Sequence, residues 1–398
     1  MNWKTGSTFI LLFGFLSLVA SHVVAEEKIS LEKFLNLARE ESPDLAIESA
    51  NVDTSQYRAS GIRIPLGMVG FMQMQNSGNT RNGIEVSQEI PFPTKIIQDK
   101  KTRNLEYETK KQMGAIQKVG VMTKARVAYV EFWGASKRLT ILKEKQNWFY
   151  HHAELFRTTT LSDNEAQIHL LGVESEVDLL ENDILDAEAA LVETRNGMNN
   201  FAPSLKHQEL IPIEPAMENP KVSEFKNPLV AWKEKELKAK QAQLSLTKQS
   251  YLPDFSVRLR AFEGTPMSQG EREFMVGITV PFLYFWQSQA KVKEAAAEKK
   301  KVDAELQKAT IASDSMLSSF LKKSEALQKQ MTMLKHQLLP RAAQRVEFMK
   351  NISPRTMQGL DAHKSVMSDY LDLKLKAVDL RIDYEKNFQE ILQLTENE

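Results

Sequence analysis

The feature that most restricts this chain is the passage from Phe274 to Lys350. It begins FMVGITVPF, a strict alternation that sets Phe274, Val276, Ile278, Val280 and Phe282 on one face. Past an aromatic cluster at Tyr284, Phe285 and Trp286, period two gives way to period 3.6, with no Pro or Gly until Pro340. A strand therefore feeds directly into a very long helix. Apolar residues recur along that helix at three- and four-residue steps (Val302, Leu306, Ala309, Met316, Phe320, Leu327, Met331, Leu334 and Leu338). This is the narrow seam of a coiled coil rather than the broad stripe of a globular helix. Roughly 60 helical residues reach on the order of 90 Å. No compact soluble domain needs such a rod, and a bilayer-length strand joined to it predicts a barrel mounted on a tunnel.

The same unit occurs earlier. GIEVSQEIPFP places Ile84, Val86, Ile90 and Phe92 on one face and Glu85, Ser87 and Glu89 on the other. A second long helix is predicted from Thr94 to about Arg157, with a seam that includes Ile116, Ala125, Phe132, Leu142, Phe149 and Phe156. Landmarks pair at a slowly drifting offset: Pro43 with Pro228 (185), Pro65 with Pro253 (188), Pro91 with Pro281 (190) and Ser162 with Ser353 (191). The chain reads as two tandem copies of one plan. The first, 26–226, holds a helix, a strand pair at 65–92, a helical hairpin at 94–200 and an irregular segment at 201–226. The second, 227–398, holds a helix, a strand pair at 253–283 and a hairpin at 287–394.

Residues 1–25 read as a secretory signal: Lys4, then the apolar run FILLFGFLSLVA, then Val23-Val24-Ala25 before Glu26. Without them the chain carries 51 Lys+Arg (52 less Lys4) against 52 Asp+Glu, a balance that gives no reason to expect nucleic acid as a partner. It has no Cys, and so neither disulfides nor Cys-ligated zinc. Ser42-Pro43 and Asn227-Pro228 each supply an N-cap followed by Pro at the first helical position.

Pro253 to Phe262 alternates Phe255, Val257, Leu259 and Ala261 against Asp254, Ser256, Arg258 and Arg260. About ten residues suit a tilted transmembrane strand, although a half-buried soluble sheet gives the same alternation. The expected membrane-facing residues are Phe255, Val257, Leu259, Ile84, Val86, Phe274, Val276, Ile278 and Val280. The first strand, Leu66 to Gln75, is ambiguous: alignment with Pro253 sends Val69 and Phe71 outward, whereas hydrophobicity alone favours the face of Met68, Met72 and Met74.

Taken in order, ISLEKFLNLAREESPDL, the Pro-bounded strands, VSQEIPFP and VGITVPF before long helices, and the duplication resemble the TolC family of outer-membrane efflux channels. The resemblance spans essentially all of the chain after residue 25. It implies a mainly α protein with membrane β: long helical hairpins forming a periplasmic tunnel, plus four strands per protomer in a trimeric twelve-stranded barrel. It also implies a homotrimer in outer-membrane lipid, docked on a periplasmic membrane-fusion adaptor and an inner-membrane pump of the RND type. The hairpin tips that would meet the adaptor correspond to Leu161-Ser162 and Ile352-Ser353. These keep the second half of a Val-Gly-Leu-Ser/Thr pattern, and Thr159-Thr160 and Lys350-Asn351 depart from its first half. The shortness of the chain resembles the CzcC-like metal-efflux branch. A protein-secretion duct of type I and a secreted coiled-coil scaffold are the alternatives.

No catalytic constellation and no cofactor motif is present. His151 and His152 point about 100° apart on a helix and read as surface residues rather than as a metal pair. Most Met, such as Met122, Met316 and Met331, read as core filler, and Met68, Met72 and Met74 remain open as a thioether ladder. Asp163 and Asp361 follow the two tips. Each reads either as a helix N-terminal carboxylate or, under threefold symmetry, as an acidic ring at a constriction.

Overall fold

The computed structural model describes residues 27–76, 79–159, 164–220, 227–264, 270–280, 285–351 and 357–395. After strand β1 (Glu27–Ile29) come helices α1 (Leu31–Glu41) and α2 (Pro43–Ala59), strands β2 (Met68–Asn76) and β3 (Asn79–Ile90), and helices α3 (Pro93–Thr159) and α4 (Asn164–Asn199). Strand β4 (Leu210–Pro212) precedes the second passage: α5 (Pro228–Lys248), β5 (Asp254–Phe262), β6 (Arg272–Thr279), α6 (Phe285–Met333), α7 (Leu339–Met349) and α8 (Met357–Thr395). The 67 residues of α3 span about 100 Å.

Local chemistry sets the helix boundaries. The Ser30 hydroxyl accepts the Lys33 N–H at 3.2 Å, and Asn227 Oδ1 accepts the Leu229 N–H at 2.8 Å. Ser42 differs from expectation: it precedes Pro43, but its hydroxyl makes no capping bond. The end of α2 is closed from outside. Arg103 on α3 donates to the carbonyls of Arg58 (2.9 Å), Ala59 (3.2 Å), Ser60 (3.1 Å) and Gly61 (3.1 Å), so a cation meets the negative end of that helix. Gly61 follows with φ +73°, a conformation a side chain would resist.

The second rod is not one continuous α-helix. Leu334–Leu338 form a π-helical turn between α6 and α7. Pro340 lies two residues beyond it, and Pro has no N–H and crowds the carbonyl four residues back, so the wider turn absorbs the mismatch.

Separate apolar clusters hold the helices along the rods and at a waist around β1 and β4. Leu142, Phe149 and Ala153 of α3 bury against Val173, Val177, Leu180, Ile184 and Ala187 of α4. The spacing of Ile168, Leu171, Leu179, Leu180, Leu185 and Leu191 predicts one apolar face for α4, and the structure corrects it: Leu180 is buried and Leu191 partly buried, whereas Ile168, Leu171, Leu179 and Leu185 form a second, exposed stripe. Likewise Met316 and Leu338 of the predicted seam are exposed, while Val302, Leu327 and Leu334 are buried. His152 is also corrected, being 3 % exposed and stacked on Trp148 with ring centroids 4.7 Å apart. Gly134 of α3 packs tightly against α8, since a Cβ there would lie 2.3 Å from Ile382 Cδ1.

The segment after α4 is more ordered than its four Pro suggest. Its β4 pairs parallel with β1, in the register Glu27 with Leu210 and Ile29 with Pro212. Tyr129, fully buried on α3, lies 2.6 Å from the Ile213 carbonyl and 2.9 Å from that of Ile29, so one phenolic proton bridges both backbones. Burial pushes its pKa up to about 12, partly offset by the Ile213 bond. Arg381 donates to the Pro215 carbonyl at 2.9 Å, and the Tyr384 hydroxyl to that of Glu218 at 2.7 Å. Beneath them Glu385, 1 % exposed, lies 2.7 Å from Arg381 and 3.7 Å from Arg126. Burial raises its carboxyl pKa, and the two guanidiniums oppose that rise.

The strap is therefore held by few, well-buried bonds. Tyr129→Phe should weaken it by about 1–3 kcal/mol, the usual penalty for leaving one buried carbonyl unpaired, here that of Ile213, since the Ile29 carbonyl keeps the Ile213 N–H at 2.9 Å. Amide exchange should accelerate at 27–29 and 210–213 while the α3–α4 pair stays protected. Unchanged exchange in the strap would show that the phenol is dispensable.

Candidate functional site

The four longer strands form one antiparallel sheet in the order β2-β3-β5-β6, leaving β2 and β6 as edges. Directly opposed residues share a face, so the register sorts every side chain. Val69 and Phe71 oppose Val86 and Ile84, Val86 opposes Leu259, and Leu259 opposes Phe274. Val257 opposes Val276 and Phe255 opposes Ile278. One mainly apolar face results, interrupted by Gln88 opposite Val257 and Arg272 opposite Ala261, and the ambiguity of the first strand is resolved in favour of Val69 and Phe71. Among the described residues that face has no cover: Phe71 is 91 % exposed and Val276 63 %.

The opposite face is polar. Glu85 meets Arg260 at 2.6 Å, with Glu273 3.8 Å beyond, and Arg81 meets Glu271 at 3.2 Å. Met68, Met72, Met74 and Met275 share this face, as parity in the register requires. Met275 belongs to the group although nothing in the sequence grouped it there, because its place depends on which strands are neighbours.

The sheet is tied to the rods at one corner. Lys95, in the first turn of α3, lies 2.8 Å from both Asp254 carboxylate oxygens and donates to the Leu252 carbonyl at 2.9 Å. Asp254 also accepts the Phe92 N–H at 3.0 Å, and the Phe92 and Phe255 rings stack 6.0 Å apart. Strand, turn and helix from different halves of the chain thus meet on one carboxylate.

At the far ends of the rods, Leu161, Ser162, Asp163, Ile352 and Ser353 lie outside the described residues, as do Phe282 and Tyr284 of the aromatic cluster. Trp286 is exposed. Asp361 is exposed in the second turn of α8. Among the described residues no three His, Asp or Glu side chains are grouped to hold a metal ion, and no helix is long and apolar enough to cross a membrane.

No protein-family model matches the sequence, and no curated protein matches it. Solved structures match the fold. The Campylobacter jejuni CmeC outer membrane channel superposes with a TM-score of 0.73 at 11 % identity, covering 92 % of this chain and 87 % of that one. The outer-membrane channel OprN gives 0.75 at 12 % identity, covering 91 % and 89 %. The outer membrane protein VceC of Vibrio cholerae gives 0.70 at 12 % identity, covering 91 % and 95 %. The fold is that of these outer-membrane channels: long helices with four antiparallel strands.

The two-faced sheet predicts a parity effect. Val257→Arg or Ile278→Arg should impair assembly in the membrane, because a lipid-facing Arg near the midplane costs about 2–4 kcal/mol. Ser256→Arg, one residue along, should assemble normally. The yield of heat-modifiable oligomer in isolated membranes measures both, and equal tolerance at the two parities would remove the membrane assignment.

Proposed function

We propose that this protein is the outer-membrane exit duct of a three-part efflux system in a Gram-negative bacterium. Four strands from each of three copies close a twelve-stranded barrel, and the helical hairpins form a tunnel across the periplasm. The carrying observation is the sheet itself, with an uncovered apolar face, a charged opposite face and two open edges, mounted on rods about 100 Å long. A soluble scaffold would leave Phe71, Val276 and Ile278 in water as one contiguous patch, which monomeric soluble proteins rarely do. A closed barrel in lipid satisfies both faces and both edges.

In this reading Leu161-Ser162 and Ile352-Ser353 meet a periplasmic adaptor, and the pump behind it, of the RND type, selects the cargo. In this reading the cargo is metal cations or other small toxic solutes. Asp163 and Asp361, repeated three times around the axis, form the acidic constriction. The duct itself performs no chemistry.

Leu161→Asp and Ile352→Asp put a charge into the adaptor contact without touching the barrel or the buried helix faces. The expected result is a normally inserted trimer that no longer cross-links to its adaptor and no longer restores resistance to a deletion strain. Normal efflux by both variants would remove the docking claim. Challenging the deletion strain with metal salts, detergents and dyes identifies the cargo class. Release of the protein by osmotic shock, without detergent, would instead establish the scaffold.

A further inference from the structure

The duplication does more than relate two halves of the sequence, because it carries a hydrogen-bond register. The offsets of 188 at Pro65/Pro253 and 190 at Pro91/Pro281 convert the first hairpin into the second. Val69 opposite Val86 becomes Val257 opposite Val276, and Met68 opposite Ser87 becomes Ser256 opposite Gly277. Phe71 opposite Ile84 becomes Leu259 opposite Phe274. Both offsets were obtained from prolines, and they reproduce strand pairing to the residue.

Between the hairpins, β3 pairs with β5. Its counterpart under the same operation is β6 paired with β2. Those are the two unpaired edges of the sheet, so the counterpart can only form between copies of the chain. Resting on the barrel reading above, we propose that β6 of one protomer pairs antiparallel with β2 of the next in a specific register. The pair Val86–Leu259 maps to Val276 against Phe71 of the partner subunit, and Gln88–Val257 maps to Ile278 against Val69 of the partner subunit. The pair Glu85–Arg260 maps to Met275 against Met72 of the partner subunit, and Ser87–Arg258 maps to Gly277 against Gly70 of the partner subunit.

Three features fit this register beyond the arithmetic. On the exposed face Val276 and Ile278 meet Phe71 and Val69 of the partner subunit, with Phe274 opposite Gln73 of the partner subunit, whereas a slip of one residue would turn one strand over. Phe71, 91 % exposed at the edge, gains a β-branched neighbour, the kind of aromatic pair that stabilises cross-strand contacts. The third concerns charge. Within a protomer the mapped position holds the Glu85–Arg260 ion pair; between protomers it holds two thioethers. The seam between copies therefore carries no ion pair at that level, and Met72, Met74 and Met275 come together there on the polar face.

The absence of native Cys makes the register directly testable. Two double variants, V69C/I278C and M72C/M275C, are prepared in the full chain and oxidised in isolated outer membranes. Opposed positions in an antiparallel pair fall within the Cα separation a disulfide needs. Each double variant should give covalent dimers and trimers on non-reducing gels, lost on reduction, and each single Cys should give none. The offset controls F71C/I278C and V69C/V276C should cross-link at least tenfold less. If an offset control cross-links while the designed pairs do not, the register is wrong although the trimer stands. A trimer by light scattering in detergent with no cross-link in any pair likewise overturns the register. A monomer by light scattering would overturn the barrel reading and the register with it.

Discussion

Backbone N–H and C=O groups along a strand edge need partners, and in hydrocarbon no water can supply them. The sheet β2-β3-β5-β6 leaves two such edges and an apolar face bare. Much else in the molecule follows from that requirement. In the barrel reading the strands are finished between copies, so the rods that follow them must be placed so that copies can come together. The corner at Lys95 and Asp254 fixes that placement, because the direction of α3 is set by a carboxylate at the start of β5. Helix pairing then proceeds along the rods through buried aliphatic contacts, with exposed ion pairs such as Lys145–Asp372 (2.7 Å) and Lys374–Glu144 (2.9 Å) setting relative height more than stability.

The waist shows a different economy of forces. Its irregular segment lacks the length to fold alone, so it borrows order from side chains of the rods. Tyr129, Arg381 and Tyr384 each spend a buried polar group on a strap carbonyl. Glu385 is the companion of that arrangement, since removing the acid would leave the buried Arg381 without its carboxylate, whereas Arg126 keeps Glu218 at 2.9 Å.

Much of this was legible in the sequence. The change from period two to period 3.6 at Phe285, the prolines bounding each strand, and the pairwise offsets located the rods, the strands and the duplication. What the sequence misplaced has physical reasons. Leu171, Leu179 and Leu185 are apolar and helically spaced, but α4 carries two apolar stripes, and only packing decides which one α3 covers. His151 and His152 read alike as surface residues because neither has a metal-pair spacing; a buried stack of His152 on Trp148 depends on the rod's rotation, which adjacent residues do not encode. The strand β4 is three residues long and exists through β1, far away in sequence. The first strand's facing was ambiguous because Met, Val and Phe all read as apolar, and only the register separates them. The tips remain a matter of sequence alone.

The π-turn at Leu334–Leu338 gives the two rods unequal mechanics. In α3 the hydrogen-bonded ladder runs unbroken from Pro93 to Thr159, so bending stress is shared along its whole length. In the other rod the ladder is weakest at one level, with Pro340 just beyond. The 11 residues of α7 past that level act as a lever about 16 Å long. A change of about 10° at the turn, well short of a sharp kink, would carry the end of α7 sideways by about 3 Å. The rods behave as a stiff post beside a hinged one, and in the duct reading any change in bore falls on the hinged member.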